Sequence, residues 1–432
     1  MQIQALPGFR DFYPEDLALR AHIFETWRMV ASRYGFEEYD GPPLEPLELY
    51  TKKSGDEIVG QLYNFVDKGD RNVALRPEMT PTLARMVAAR ANGLKKPIRW
   101  FSIPQLFRYE RQQRGRLREH FQLNCDLIGE VGPLADAELI ALAIDVMRAF
   151  GLTSSDVRVR LSDRRVLTAI LTAKGVKPAG LSRAFQFIDK RERMQRQELD
   201  QVSLRPEEFG SVDVVQLQAI ADLRDWDALD EELRKLDVVR SAEPLLQLRD
   251  ALTSMGLAEF IDLDLGIVRG LAYYTGIVFE LFDAKRSLRA ICGGGRYDNL
   301  MKELGGVDLP ALGFGMGDVV LAELLKEKKV EPADAASIDV FLAFISAEDI
   351  SHVLRLAHHL RDTGFRVEYP LGPQALGKQM KLADARRARV AVVVGPDERA
   401  RGEVVVRDLR AGTQEIVPAV SVTDAITSRV RG

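Results

Sequence analysis

Residues 107–129 read FRYERQQRGRLREHFQLNCDLIG. Arginine takes five of the eleven positions from 108 to 118. From His120 the chain then alternates, with His120, Gln122, Asn124 and Asp126 set against Phe121, Leu123, Cys125 and Leu127. Side chains two apart along a strand share a face, so this strand carries one apolar face and one row of hydrogen-bonding groups. An edge strand with its polar face in water is an equally open reading. Two features favour a ligand. Gln, Asn and Asp form strands poorly and need another reason to be in one, and the arginines just upstream present planar forks suited to phosphate oxygens. The stretch therefore points to a phosphate-bearing ligand beside a small polar one.

The totals make such a site local. With 60 basic and 64 acidic side chains the net charge is −4, so contact with a polyanion cannot be spread over the whole surface. Cys125 and Cys292 make no disulfide framework or zinc cluster, and the five histidines are scattered, so no metal site is expected and a reducing cytoplasm fits. The start, MQIQALPGFRDFYPED, lacks a basic-then-apolar signal pattern, and no apolar run approaches about 18 residues, so no membrane span is expected. A length of 432 residues points to two or three domains.

Along the chain, helical spacing at 16–35 puts Leu19, Ile23, Trp27, Val30 and Tyr34 on one face, and a second helix is expected over 80–93. IRWFSI and HFQLNCDLIG read as strands. From about 160 to 258 the composition turns polar and helical, as in FIDKRERMQRQELDQV, which suggests an insertion. Strands return over 261–282, followed by the glycine-rich ICGGGRYDNL, and 326–337 reads as a linker. Beyond it strand and helix alternate, with Val353, Leu356, Ala357 and Leu360 on one helix face, which argues a compact α/β module.

Two further constellations carry chemistry. In ALRPEMTPTLARM (74–86), Thr80 reads as a helix cap with Pro81 at the first helical position, which would set Glu78 on a rigid turn able to receive an ammonium group. In IVRGLAYYTGIVFE, Arg269 sits in what reads as an apolar strand and needs an anion. The glycines at 270, 276 and 293–295, the last three read as a turn, would let a ligand come close to the tyrosine pair.

These segments, in this order, resemble the histidyl-tRNA synthetase family of class II aminoacyl-tRNA synthetases, over nearly the whole chain. PGFRDFYPED resembles the family's amino-terminal signature, and YGFEEYDGPPLEP resembles motif 1, with Pro42 at the dimer-interface proline. FRYERQQRGRLREHFQ resembles motif 2, VRGLAYYTGIVFE and GGGRYDNL the two histidine signatures, and the tail the anticodon-binding domain. The resemblance implies an α+β fold: an antiparallel class II sheet flanked by helices, a helical insertion, and a mixed α/β anticodon-binding domain. It divides the chain into a catalytic domain at 1–325, a linker at 326–337 and the anticodon module at 338–432. It also implies ATP-dependent attachment of histidine to its tRNA through a histidyl-adenylate, with Mg2+ bound along with ATP, in a cytoplasmic homodimer.

Residue by residue, the resemblance assigns Arg108 to the α-phosphate, and Arg269 to the same phosphate or to the histidine carboxylate. Glu78, Thr80 and Gln122 would hold the α-amino group, with Met79 also counted in the substrate site. Asp126, where many relatives have Glu, would meet the imidazole with Tyr274, and Tyr273 and Tyr297 would complete the pocket. Arg111 and Gln113 would face the tRNA acceptor end. In the tail, Arg355, Arg361, Arg366, Lys378, Lys381, Arg386 and Arg387, with Gln374 and Gln379 interleaved, would suit phosphate contacts and base-edge reading. Two positions depart from the family pattern. Ala272 replaces an acid, and Val319 and Val320 stand where motif 3 has its Glu-Arg pair. A non-catalytic histidine-sensing relative, such as a regulatory subunit of ATP phosphoribosyltransferase, is the alternative, although such subunits usually lack the tail module.

Overall fold

A computed structural model describes residues 4–51, 60–109, 115, 117–191, 204–269, 273–330 and 338–430. It forms two compact units, Met1–Asp11 with Leu19–Glu331, and Phe12–Ala18 with Pro332–Gly432.

The first unit is built on a nine-stranded sheet. In chain order its strands are β1 (Glu37–Glu38), then, after a separate three-stranded sheet of β2 (Leu44–Pro46), β3 (Asn64–Val66) and β4 (Asn72–Leu75), β5 (Ile98–Ser102), β6 (Gln105–Phe107), β7 (Glu119–Ile128), β8 (Val157–Asp163), β9 (Ile261–Leu263), β10 (Ile277–Asp283), β11 (Cys292–Arg296) and β12 (Ala311–Gly317). The order across the sheet is β1-β5-β7-β12-β11-β10-β8-β9, with β6 also paired to β7. Every pairing from β5 to β8 is antiparallel, and only the outermost pairs, β1/β5 and β8/β9, are parallel. This is the antiparallel α+β class expected from the sequence.

The alternation in β7 sorts its two faces. Leu123, Cys125 and Leu127 join Phe279, Leu281, Phe314 and Met316 in a large apolar cluster that also takes Trp27 and Val30 of helix Pro14–Arg33 and much of helix Pro133–Ala149. On the other face, Tyr274, Val278 and Tyr297 pack with Leu83 and Val87 of helix Thr80–Arg90 and with Leu300 and Met301 of helix Leu300–Gly305. Between β8 and β9 the described chain is helical, and Leu217, Leu229, Leu233 and Leu248 from that stretch bury in the same large cluster as the sheet. Its apolar stripes therefore gain their burial from the main core rather than from one of their own.

Three local expectations are corrected. The stretch 261–282 is not continuous strand: after β9 the Asp264 side chain accepts from the Gly266 amide at 3.0 Å and turns the chain, so Arg269, Tyr273 and Tyr274 lie in irregular backbone ahead of β10. Asp-x-Gly turn chemistry overrides the apolar pattern there. The run of three glycines is not a turn but the middle of β11, held between β10 and β12; pairing on both sides outweighs the poor strand preference of glycine. Thr80 is the first helical residue and not a cap. Met79 precedes it with no side-chain capping bond, and Pro81 fills the first turn, where its missing N–H is not needed.

The second unit carries a five-stranded mixed sheet of β13 (Val340–Phe344), β14 (Val367–Glu368), β15 (Val390–Val394), β16 (Glu403–Asp408) and β17 (Gln414–Pro418), in the order β14-β13-β15-β16-β17. Val353, Ala357 and Leu360 of helix Ile350–Asp362 are buried as the spacing predicts, with Leu356 packed alongside. Gln379, expected to read bases, is fully buried. It donates to the carbonyls of Phe344 and Gln374 and accepts from the Phe344 amide, so all of its hydrogen bonding serves the fold. Arg361, Arg366 and Arg386 likewise reach the Val367 carbonyl, Asp339 and Glu368.

Candidate active site

On the polar face of β7, Gln122 lines one cleft with Arg108, the first arginine of the opening stretch. Asp126 is 4% exposed and accepts a hydrogen bond from the Tyr297 hydroxyl. Burial pushes the Asp126 carboxyl up to about 7, against the lowering effect of that bond. Burial and the Asp126 charge push the Tyr297 phenol well above its ordinary value. A carboxyl poised near neutrality beside a phenol can share a proton with an imidazole, which titrates in the same range. Tyr273 links this pair to a second polar corner. Its ring lies 5.9 Å from that of Tyr297 and 5.0 Å from that of Tyr274, and it lines a small pocket with Glu78, Thr80 and Pro81.

Next to this corner is a cleft of about 820 Å³, lined among others by Arg108, Gln122, Arg269, Glu280, Arg289 and Val320. Arg108 donates from Nε to the Pro77 carbonyl at 2.9 Å, which ties it to the turn holding Glu78. That turn is itself anchored by the buried Arg76, which donates to Asp40, to the Gly41 carbonyl and to the Gln105 carbonyl. Arg269 sits at a φ of +50°, pairs with Glu280 at 3.2 Å, and lies over the Tyr274 ring at 5.6 Å. Its anion is thus an acid of β10, and its Nε, buried, finds no partner among the described residues.

Glycines on the neighbouring strands make the room. A β-carbon on Gly313 would fall 2.2 Å from the Asp126 carboxylate, and one on Gly293 only 1.4 Å from Arg269 Nη1. Any larger residue would occupy the space these functional groups fill.

Of the residues singled out from sequence, Arg108, Gln122 and Arg269 line the cleft, while Glu78, Thr80 and Tyr273 line the adjoining corner. Asp126, Tyr274 and Tyr297 stand on the same sheet face. Met79 is fully buried, with its sulfur 3.8 Å from Arg76, so its side chain belongs to the packing under the turn. Arg111, Gln113 and Ala272 lie outside the described residues. Val319 and Val320 both line the cleft. Sequence reading missed Arg10, which bridges the buried carboxylates of Glu119 at 2.6 Å and Asp318 at 2.9 Å and so clamps the start of β7 to the chain after β12. A lone arginine in an amino-terminal PGFRD stretch carries no local sign of partners more than a hundred residues away. Among the described residues no group of three or more His, Cys, Asp or Glu side chains could hold a metal ion, and no helix is long and apolar enough to cross a membrane.

The histidyl-tRNA synthetase family model matches residues 8–318, and an anticodon binding domain model matches residues 339–429. A histidine–tRNA ligase of Opitutus terrae is 48% identical over 425 residues, covering 97% of each chain. One of Haloarcula marismortui is 38% identical, covering 96% of this chain and 95% of its own. Among solved structures, histidyl-tRNA synthetase from Nostoc sp. PCC 7120 superposes with a TM-score of 0.84 at 24% identity, covering 99% of this chain and 100% of that one. A Bacillus halodurans protein, described as an ATP phosphoribosyltransferase regulatory subunit/histidyl-tRNA synthetase, superposes with a TM-score of 0.74 at 24% identity, covering 91% of this chain and 98% of that one. At those identities the two structures speak to the fold.

Proposed function

The chain belongs to the histidyl-tRNA synthetase family, and from that premise we propose that it is a histidine–tRNA ligase. It activates histidine with ATP and passes the histidyl group to the cognate tRNA. The observation that carries this reading is the joining of two sites on one sheet face: a buried carboxyl–phenol pair suited to an imidazole opens beside a cleft lined by arginines suited to a triphosphate. Such a layout supports a histidine carboxylate held at the mouth of the nucleotide cleft. Its oxygen attacks the α-phosphorus, the bond to pyrophosphate breaks, and the adenylate is then resolved by a ribose hydroxyl of the tRNA with release of AMP.

In this reading Asp126, Tyr274 and Tyr297 meet the imidazole, and Glu78, Thr80, Gln122 and Tyr273 hold the ammonium end. Arg108 and Arg269 grip the α-phosphate and the carboxylate. Donors aimed at charge that develops during attack stabilise the transition state more than the ground state. Mg2+ would arrive on the ATP phosphates and neutralise part of their charge, and Asp189 and Glu280 are the carboxylates of the cleft lining that would hold it. Residues 1–325 form the catalytic domain and 338–432 read the anticodon of the same tRNA, with 326–337 linking them. Exposed Leu44, Phe65 and Val66 on the sheet that follows Pro42 support a homodimer built through this region, and the cytoplasm is its place of work.

A histidine-sensing regulatory subunit would use only the pocket. The anticodon-binding match at 339–429 and the full-length ligase relatives favour the enzyme. The test is direct: the full-length protein should exchange pyrophosphate into ATP only when histidine is present and should charge histidine tRNA. Robust histidine binding with neither activity would move the assignment to the sensor.

A further inference from the structure

We propose that Tyr39 is a positioning residue for histidine: when the imidazole binds, the Tyr39 hydroxyl donates to Asp126 and fixes that carboxylate as the acceptor. This rests on the histidine half of the reading above.

Two buried hydroxyls come close together on the histidine side of the large sheet, Tyr39 Oη and Ser102 Oγ. Neither reaches hydrogen-bonding geometry with the other or with any described group. Tyr39 is half-buried as a residue, but its hydroxyl is shut off from solvent, and Ser102 is fully buried. A buried polar atom without a partner is destabilising, and a native protein that keeps one has a reason for it.

Strand register shows where the phenol stands. Across β5 and β7, Trp100 is opposite Asp126 and Ser102 is opposite Asn124, so these four side chains share one face. The Tyr39 ring lies 5.4 Å from the Trp100 ring and packs in the same cluster as Tyr274 and Tyr297. Its hydroxyl therefore ends beside the Asp126 end of the polar row, on the side away from β12. Asn124 is turned to the Gln122 carbonyl at 3.1 Å. Tyr297 takes one acceptor position on Oδ1 of Asp126, and a carboxylate offers about four.

Charge supplies the trigger. Burial and the Asp126 charge push the Tyr39 phenol well above its ordinary value, so it remains a donor. In the free protein the Asp126 carboxyl is poised near neutrality and attracts that donor weakly. An imidazole that takes up the carboxyl proton leaves a full carboxylate, and hydrogen bonds to a charged acceptor are the stronger kind. The donor is already placed. The Tyr39 amide donates to the Phe101 carbonyl at 2.8 Å, and the buried Arg76 holds Asp40 at 2.9 Å and the Gly41 carbonyl at 2.7 Å. Little ordering is left for the binding step. The same Arg76 anchors the turn of Glu78, so both ends of the histidine pocket are set from one point.

The experiment compares full-length wild type with Tyr39→Phe. Calorimetry measures histidine and histidinol, which keeps the imidazole and the ammonium but lacks the carboxylate. Pyrophosphate exchange gives the KM values, and thermal denaturation is followed without ligand. Tyr39→Phe should weaken both ligands by the same factor, about ten- to hundredfold. The KM for histidine should rise in proportion while the KM for ATP stays within about twofold. The unliganded midpoint should equal or exceed that of wild type, because the deleted hydroxyl had no partner there; a purely structural role forbids that result. Unchanged histidine affinity, a loss for histidine but not histidinol, or a lower unliganded midpoint overturns the proposal. A wild type that binds neither ligand overturns the histidine pocket itself, and the proposal with it. A wild type that binds both through Tyr39 yet exchanges no pyrophosphate would sink the ligase reading and leave this inference standing.

Discussion

Replacing Gly293 by alanine isolates the placement of Arg269 from the fold around it. Gly293 lies in the middle of β11, opposite Glu280 on one side and Gly315 on the other. The added β-carbon would sit 1.4 Å from Arg269 Nη1 and 2.6 Å from Cζ. Carbon and nitrogen need about 3.5 Å, so the guanidinium has to retreat by roughly 2 Å. That breaks its 3.2 Å contact with Glu280 and moves it off the Tyr274 ring. The sheet itself has less to lose. Overpacking typically costs about 1–3 kcal/mol, and alanine recovers about 0.5–1 kcal/mol of strand propensity relative to glycine. The net loss of stability should be about 2 kcal/mol or less. Activity should fall much further, since removing one donor aimed at developing charge costs about 3–4 kcal/mol, or about 100- to 1,000-fold in rate. Histidine-dependent pyrophosphate exchange measures this, with circular dichroism and chemical denaturation as the check on folding. Because both substitutions act through one guanidinium, Gly293→Ala in an Arg269→Ala background should add almost nothing. Gly294→Ala makes the contrast: its β-carbon would fall 2.3 Å from the Gly313 carbonyl oxygen, so it should damage the fold itself. Exchange within a few-fold of wild type in Gly293→Ala, or additive losses in the double variant, would refute the reasoning.

Arg108→Ala and Arg269→Ala should each cut pyrophosphate exchange by about 100- to 1,000-fold, and retention of near wild-type exchange in both would remove them from the phosphate site. Asp126→Asn should abolish histidine activation while stabilising the fold at high pH. The buried carboxyl holds its proton up to about 7 against an ordinary 3.8, so its penalty is absent below about pH 4, grows as pH rises to 7, and reaches about 4 kcal/mol at most above that. Denaturation curves of the two proteins should coincide near pH 4 and separate by pH 8; a constant gap contradicts this. Deleting 338–432 should leave histidine activation largely intact and collapse tRNA charging, because two linked contacts on one tRNA raise its effective concentration; unchanged charging argues against anticodon reading. Sedimentation at micromolar concentration should give a dimer, and a monomer would count against an interface through Pro42.

The alternation of β7 was legible in sequence because strand geometry ties neighbours two apart to one face. Helical spacing likewise marked the buried faces of Ile23, Trp27 and Val30 and of Val353, Ala357 and Leu360. Local order and spacing are short-range properties, and from them the α/β alternation of the tail and the polar row from Gln122 to Asp126 could be read, while the antiparallel sheet class came from the family resemblance. What a residue meets across the sheet is not local. Three glycines became a central strand because β10 and β12 close on them from both sides, and Gln379 became part of the tail's frame because the end of β13 lay within its reach. Only the tertiary structure decided that Arg269 would lie off any strand at positive φ, with space kept for it by Gly293, and that Arg10 would join Glu119 to Asp318. These contacts join residues up to some three hundred positions apart. Their energies depend on burial, and burial exists only once the sheet order has been formed.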